Sequence, residues 1–118
     1  MKLADRIFAC VLILGGVGHS IGSYIFYKTQ PMTLLWALSA SALSFLVAAI
    51  NLLRVQRPGD RALAWICSVA SLAPAVSGIT LGVLIGNLVN FRVLWHAICG
   101  LALAVFSVKT ALGANRAA

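Results

Sequence analysis

Four long apolar runs alternate with short polar segments along the chain, and this pattern of hydrophobic and polar positions predicts four helices. Crossing about 30 Å of hydrocarbon takes about 20 mostly apolar residues in a helix, which is the length of each run. The predicted helices cover residues 7–27, 33–53, 62–87 and 93–112. Short connecting segments make consecutive helices antiparallel neighbours. We therefore expect an all-α integral membrane protein, with residues 1–118 forming a single up-down-up-down four-helix bundle.

The composition supports a membrane location, because 62% of the residues are hydrophobic and only 9% are charged. Soluble proteins average about 45–50% apolar and about 25% charged residues. A net charge of +7 would suit a nucleic-acid partner only if the basic residues were clustered on one patch, and here they are dispersed among apolar runs. We expect the lipid bilayer, other membrane subunits or further copies of this chain as partners, and no nucleic acid.

Lysine and arginine residues near the predicted helix ends indicate the orientation, because cytoplasmic loops of membrane proteins carry an excess of these residues. Seven would lie on one side of the membrane, and these are Lys2, Arg6, Arg54, Arg57, Arg61, Lys109 and Arg116. Only Lys28 and Arg92 would lie on the other side. The sequence therefore predicts cytoplasmic N and C termini. The compact format suits a bacterial inner membrane.

The third predicted helix carries glycines at four-residue spacing, Gly78, Gly82 and Gly86. Small residues allow the backbones of two helices to approach closely in a bilayer, so we expect this ridge, a glycine zipper, to pack against a neighbouring helix. The alternative is a groove for a lipid or another ligand. Pro74 removes one backbone hydrogen bond and should kink the helix, and Ser71 is placed to satisfy the freed carbonyl.

A few polar residues lie at the ends of the predicted helices, and none of the predicted helices contains a carboxylate. Asp5 and Asp60 precede the first and third helices, where a side-chain oxygen can accept a hydrogen bond from a free backbone N–H. Asn51 and Asn87 lie near helix ends, within reach of water or lipid headgroups. We expect interface or capping roles for both asparagines.

The only ionisable side chains expected inside the membrane are His19 and His96, and such residues are candidate functional sites because burying them is unfavourable without a partner. At 100° per residue, Gly15 and Gly22 share a face of the first helix with His19. Gly100 shares a face of the fourth helix with His96. Two imidazoles facing each other, with glycines leaving room for a flat macrocycle, predict bis-histidine ligation of haem b.

The haem hypothesis has one supporting and one opposing argument. Lys28 and Arg92 lie near the two histidines and could pair with haem propionates. However, the predicted helix ends place His19 and His96 at depths that differ by about 7 Å. The alternative is that each histidine hydrogen-bonds a backbone carbonyl or a serine of another helix, and that the glycines only allow close packing. A closed zinc site takes three or four ligands, and Cys99 is the only candidate third ligand, so no metal beyond haem iron is predicted. A site for a quinone, a metal or another small ligand at the histidines is the remaining alternative.

Three functions remain open from the sequence. The first is an accessory or structural subunit of a membrane complex, or a module that binds a hydrophobic ligand, since no catalytic motif is present. The second is an electron-transfer anchor that holds haem b through His19 and His96. The third is a small transporter that acts as an oligomer. We expect no catalytic residues in any of the three.

Overall fold

Four α-helices make up most of residues 2–113, which is the part of the chain that this computed structural model describes. They are α1 (Lys2–Tyr27), α2 (Pro31–Gln56), α3 (Arg61–Leu84) and α4 (Phe91–Gly113). The described residues form no strand, and all four helices are long and apolar enough to cross a membrane. The prediction of an all-helical chain with four long apolar helices is therefore confirmed.

The helices begin where the local chemistry favours a start. Pro31 is the first residue of α2. Its fixed φ angle suits a helix, and the lack of an N–H is tolerated there because N–H groups in the first turn have no acceptor within the helix. The Asp60 carboxylate accepts a hydrogen bond from the Leu63 backbone N–H at 2.9 Å, which confirms the predicted N-cap of α3. The predicted N-cap at Asp5 is wrong, because α1 already begins at Lys2.

Helix α3 ends at Leu84, before the predicted end at Asn87. Gly86 has a φ angle of +67°, a left-handed conformation that is unfavourable for residues with a Cβ atom. The Asn87 backbone N–H donates to the Gly82 carbonyl at 2.9 Å, which closes the helix end in the manner of a Schellman motif. Gly86 therefore belongs to a turn and not to a packing surface.

Helices α3 and α4 approach each other most closely, with glycines on both sides of the contact. A Cβ atom added to Gly100 would lie 2.7 Å from the Ser71 carbonyl oxygen and 2.9 Å from the Ala75 nitrogen. A Cβ atom added to Gly78 would lie 3.1 Å from the Val93 carbonyl oxygen. Later residues of α3 thus face earlier residues of α4, so the two helices are antiparallel.

Helix α1 packs against α2 and α4 through two neighbouring glycines. Gly16 faces the Phe45 ring of α2, and Gly15 faces the Trp95 indole of α4. The Trp95 Nε1 donates a hydrogen bond to the Val11 carbonyl at 2.9 Å. Next to these contacts is a buried apolar cluster, whose members are Ala9, Leu12, Val47, Ala48, Cys99 and Leu103. The order of helices around the bundle is therefore α1, α2, α3, α4, with α4 again next to α1.

Large apolar side chains cover the outside of the bundle, whereas small and polar side chains fill much of its inside. Leu84 is 78% exposed and Val69 is 70% exposed. The serines at positions 41, 44, 68, 71 and 107 are buried. This distribution is the reverse of that in a water-soluble protein and is what a lipid environment favours.

The two ends of the bundle differ in how tightly they are packed. One end holds the α1–α2 and α3–α4 turns, and we call it the histidine end; the other holds the α2–α3 turn, and we call it the arginine end. No residue of α2 before Ser41 is buried, and all buried residues of α2 lie between Ser41 and Val55. The α2 helix is therefore enclosed by its neighbours mainly toward the arginine end.

Candidate functional site

The two histidines of the chain lie next to each other toward the histidine end of the bundle. The ring centroids of His19 in α1 and His96 in α4 are 6.2 Å apart, and the ring planes are inclined by 74°. The sequence predicts that the two histidines lie at different depths in the membrane, yet in the structure their rings are neighbours. Helix α4 begins at Phe91, earlier than predicted, which places His96 deeper in the helix.

His96 has a backbone partner for one ring nitrogen. The Nδ1 atom of His96 lies 3.0 Å from the Arg92 carbonyl oxygen, one turn earlier in α4. Because a carbonyl oxygen only accepts, Nδ1 carries the proton and the Nε2 atom of a neutral His96 keeps its lone pair. The His19 ring lies near the Ala37 backbone of α2. A neutral His96 therefore retains one nitrogen that is free to bind something else.

The glycines predicted to make room beside the histidines have different surroundings. The space at Gly15 is filled by the Trp95 indole, and the space at Gly100 is filled by the backbone of α3. An added Cβ atom at Gly22 would meet nothing within 4 Å. The open space on the His19 face of α1 therefore lies at Gly22, one turn after His19. That these glycines make room for a macrocycle stays a prediction.

The two basic residues predicted to pair with propionates lie at the histidine end and are exposed. Arg92 is in the first turn of α4, one turn before His96. Lys28 follows the last residue of α1, and its backbone N–H donates to the Tyr24 carbonyl at 3.1 Å. Neither pairs with a carboxylate in the described residues.

The predicted small-residue ridge of α3 is divided by the end of the helix. Gly78 and Gly82 are buried against α4, as are Ser71 and Pro74 on the same helix. A Cβ atom added to Gly82 would lie 2.9 Å from the Leu88 side chain, whereas one added to Gly86 would meet nothing within 4 Å. The close contact is therefore limited to the part of the ridge that is helical.

A second polar cluster, at the arginine end, was not predicted from the sequence. The Arg54 guanidinium is only 1% exposed, and its Nη2 atom lies 2.5 Å from the Oδ1 atom of Asp5, which is 3% exposed. The Nη1 atom of Arg54 donates to the Thr110 hydroxyl at 2.7 Å. The salt bridge connects the first turn of α1 to the last turn of α2, and the bond to Thr110 connects Arg54 to α4.

Asn51 extends this cluster to the remaining helix. Its Nδ2 atom donates to the Ser71 hydroxyl in α3 at 2.9 Å, and its Oδ1 atom accepts from the Ser107 hydroxyl at 3.1 Å. The Nε atom of Arg54 also donates to the Asn51 Oδ1 atom, at 3.3 Å. We call this set the four-helix polar network; its members are Asp5, Asn51, Arg54, Ser71, Ser107 and Thr110. Every buried side-chain nitrogen or oxygen in the described residues has a hydrogen-bond partner.

The network corrects two predictions. Helix α1 does contain a carboxylate, because it extends past the predicted start to include Asp5. Asn51 is fully buried and does not have an interface or capping role. Ser71 gains a partner that the sequence does not predict, because its hydroxyl accepts a hydrogen bond from Asn51. Asn87, in contrast, is exposed, and its side chain accepts from the Val89 backbone N–H at 3.1 Å within a turn.

The fold and its two polar sites define an all-helical protein with four helices that can cross a membrane, a histidine pair at one end and a buried ion pair at the other. No protein-family model, no curated protein and no solved structure matches the chain. The function is therefore argued from the two sites themselves.

Proposed function

We propose that the protein is an integral membrane protein of the bacterial inner membrane, folded as an up-down-up-down bundle with the arginine end toward the cytoplasm. The apolar outer surface and the length of the four helices support a membrane location. Six of the seven lysines and arginines assigned to the cytoplasmic side precede residue 114, and Arg116 lies outside the described residues. The excess of basic residues at the arginine end supports this orientation.

Within the membrane, we propose that the bundle acts as an accessory or binding module and that its histidine end takes up a hydrophobic ligand with a polar group. The observation that carries this proposal is the pairing of His19 and His96. The chain has only two histidines, and the fold brings them to a ring separation of 6.2 Å from its first and last helices. Ionisable residues within membrane helices are rare and usually serve a function.

The surroundings of the pair support the binding of a ligand from the bilayer. The part of α2 before Ser41 has no buried residue, and Gly18 and Gly22 present open surface on α1. The Nδ1 atom of His96 bonds the Arg92 carbonyl, so a neutral His96 keeps its Nε2 atom free to accept a hydrogen bond. A ligand could therefore lay an apolar part along the helices and place a polar group at the imidazoles.

Native mass spectrometry of the protein released from membranes in a mild detergent tests this proposal. We expect the wild-type chain to retain a ligand mass that His19→Gln and His96→Gln each reduce. Thr80→Ala is the matched control, because Thr80 is polar, exposed and toward the same end of the bundle but on α3. A wild-type spectrum with only the bare chain, or equal retention in all variants, would show that the histidine end does not hold such a ligand.

The second candidate function is an electron-transfer anchor with haem b held by His19 and His96, and the short distance between the rings favours it. His19 and His96 would hold the iron, since histidine is a common haem ligand, and their ring centroids lie 6.2 Å apart. A macrocycle would have to enter from the open side at Gly22, since Trp95 and the α3 backbone occupy the spaces at Gly15 and Gly100.

Visible spectra of oxidised and dithionite-reduced protein, expressed with sufficient haem, test this second candidate. Haem ligation predicts a low-spin spectrum with a Soret band that is lost in both His19→Ala and His96→Ala. A protein without a Soret band would exclude the haem function.

A further inference from the structure

The distance between the two imidazoles also suits a single metal ion. A late transition metal binds an imidazole nitrogen at about 2.0–2.1 Å, which places the ring centroid about 3.2 Å from the ion. Two imidazoles on opposite sides of one ion therefore have centroids up to about 6.4 Å apart. The rings of His19 and His96, at 6.2 Å, are within that range. Their inclination of 74° does not oppose binding, because each metal bond lies in the plane of its own ring.

The backbone hydrogen bond of His96 is of the kind that metal-ligating histidines make. A ligating imidazole usually donates its other N–H to a carbonyl or carboxylate, which fixes the tautomer and the ring orientation. His96 has this bond from Nδ1 to the Arg92 carbonyl at 3.0 Å. The Nε2 atom of His96 is thus left for a metal ion, and the His19 ring is its aromatic neighbour.

The chemistry of the donors selects the class of metal. Neutral imidazoles suit copper, zinc and nickel, whereas calcium and magnesium require oxygen ligands. The only two carboxylates of the chain, Asp5 and Asp60, lie at the arginine end, so neither reaches the histidine pair. Arg92, one turn before His96 in α4, adds a positive charge at this end of the bundle. A bound divalent ion would therefore take an anion or water from outside as its remaining ligands.

We propose that His19 and His96 together bind one late transition-metal cation, Cu²⁺ or Zn²⁺, with coordination positions left open for an external ligand. This site goes beyond the proposed function, because it requires no hydrophobic ligand. It differs from the haem site in needing no space for a macrocycle. No group of three or more metal-binding side chains exists among the described residues, so the two histidines are the whole protein contribution.

Titration of metal-free protein with Cu²⁺, followed by electron paramagnetic resonance, tests the site. The full chain should carry an affinity tag without histidine, in a Cys10→Ser background, because Cys10 is the exposed thiol. We expect one ion per chain and hyperfine coupling to two nitrogens. His19→Gln and His96→Gln should each weaken binding by about tenfold or more, whereas Thr80→Ala, on the exposed side of α3, should not.

A second measurement uses the wild-type side chains and does not depend on the folding of a variant. Diethyl pyrocarbonate modifies free imidazoles, and the chain has two. Bound Zn²⁺ should slow the modification of both histidines equally, and its removal by a chelator should restore the rate. The proposal is overturned by coupling to a single nitrogen, by protection of neither histidine, by Cu²⁺ affinities that both glutamine variants leave unchanged, or by a purified protein whose histidines already ligate haem.

Discussion

The Asp5 carboxylate and the Arg54 guanidinium form a buried ion pair across 49 positions of the sequence. Arg54 also donates to Thr110 and to Asn51, so its charge is met by three other side chains. A buried ion pair is weak evidence for stability when compared with apolar residues of the same volume. Removing one partner alone, however, leaves a buried charge without compensation.

Arg54→Met should therefore destabilise the protein by about 3–5 kcal/mol, because it leaves Asp5 buried and unpaired. The free energy of unfolding in detergent or lipid measures the effect. The double variant Asp5→Leu with Arg54→Met should regain much of the loss, since both charges are then absent. Arg57→Met is the control, because Arg57 is exposed and lies one turn away. Equal effects of Arg54→Met and Arg57→Met would contradict the buried pair.

Asn51→Ala should reduce stability by about 1–3 kcal/mol, because the hydroxyls of Ser71 and Ser107 would each lose a buried hydrogen-bond partner. The same substitution at Asn87, which is exposed in a turn, should have a smaller effect. Thermal unfolding of the two variants side by side gives the comparison. A larger loss at Asn87 would show that the turn, and not the network, depends on its asparagine.

Gly100→Ala should destabilise the contact between α3 and α4 by about 1–3 kcal/mol, because the added methyl group meets backbone atoms that cannot move aside without shifting a helix. Gly22→Ala should be neutral or slightly favourable, since its methyl group meets nothing within 4 Å. Melting temperatures of both variants test this contrast. A tolerated Gly100→Ala would mean that the two helices are farther apart than described.

The proposed orientation predicts which positions are reached from each side of the membrane. A cysteine placed at Lys28 in a Cys10→Ser background should react with an impermeant maleimide added to intact cells. A cysteine at Arg57 should react only after the membrane is opened, because the arginine end faces the cytoplasm. The reverse pattern of labelling would invert the orientation, and labelling of both positions in intact cells would argue for two orientations.

The sequence predicts the helices well because length and hydrophobicity alone decide whether a segment can cross a bilayer. It predicts less well what each small residue contacts. Gly86 continues the four-residue spacing of Gly78 and Gly82, yet a turn begins before it. Gly15 lies on the predicted face, but only the fold shows that the Trp95 indole fills the space beside it. Such contacts depend on the rotation and offset of neighbouring helices.

The four-helix polar network escaped prediction for a related reason. Charged residues at the ends of apolar runs are usually assigned to the membrane surface, and Asp5 and Arg54 flank the runs just outside the predicted helices. The antiparallel arrangement places the start of α1 beside the end of α2, where the two charges can pair. The sequence does identify the two histidines as candidate site residues, because they lie within apolar runs. Only the structure gives the distance between their rings.

The network also has a consequence for how the protein is made. Asp5 emerges from the ribosome 49 residues ahead of its arginine. A lone carboxylate is costly to bury without a partner, so we expect α1 to reach its final packing only together with α2. Ser107 and Thr110 are made later and complete the hydrogen bonds of Asn51 and Arg54. Completion of the network therefore waits for α4.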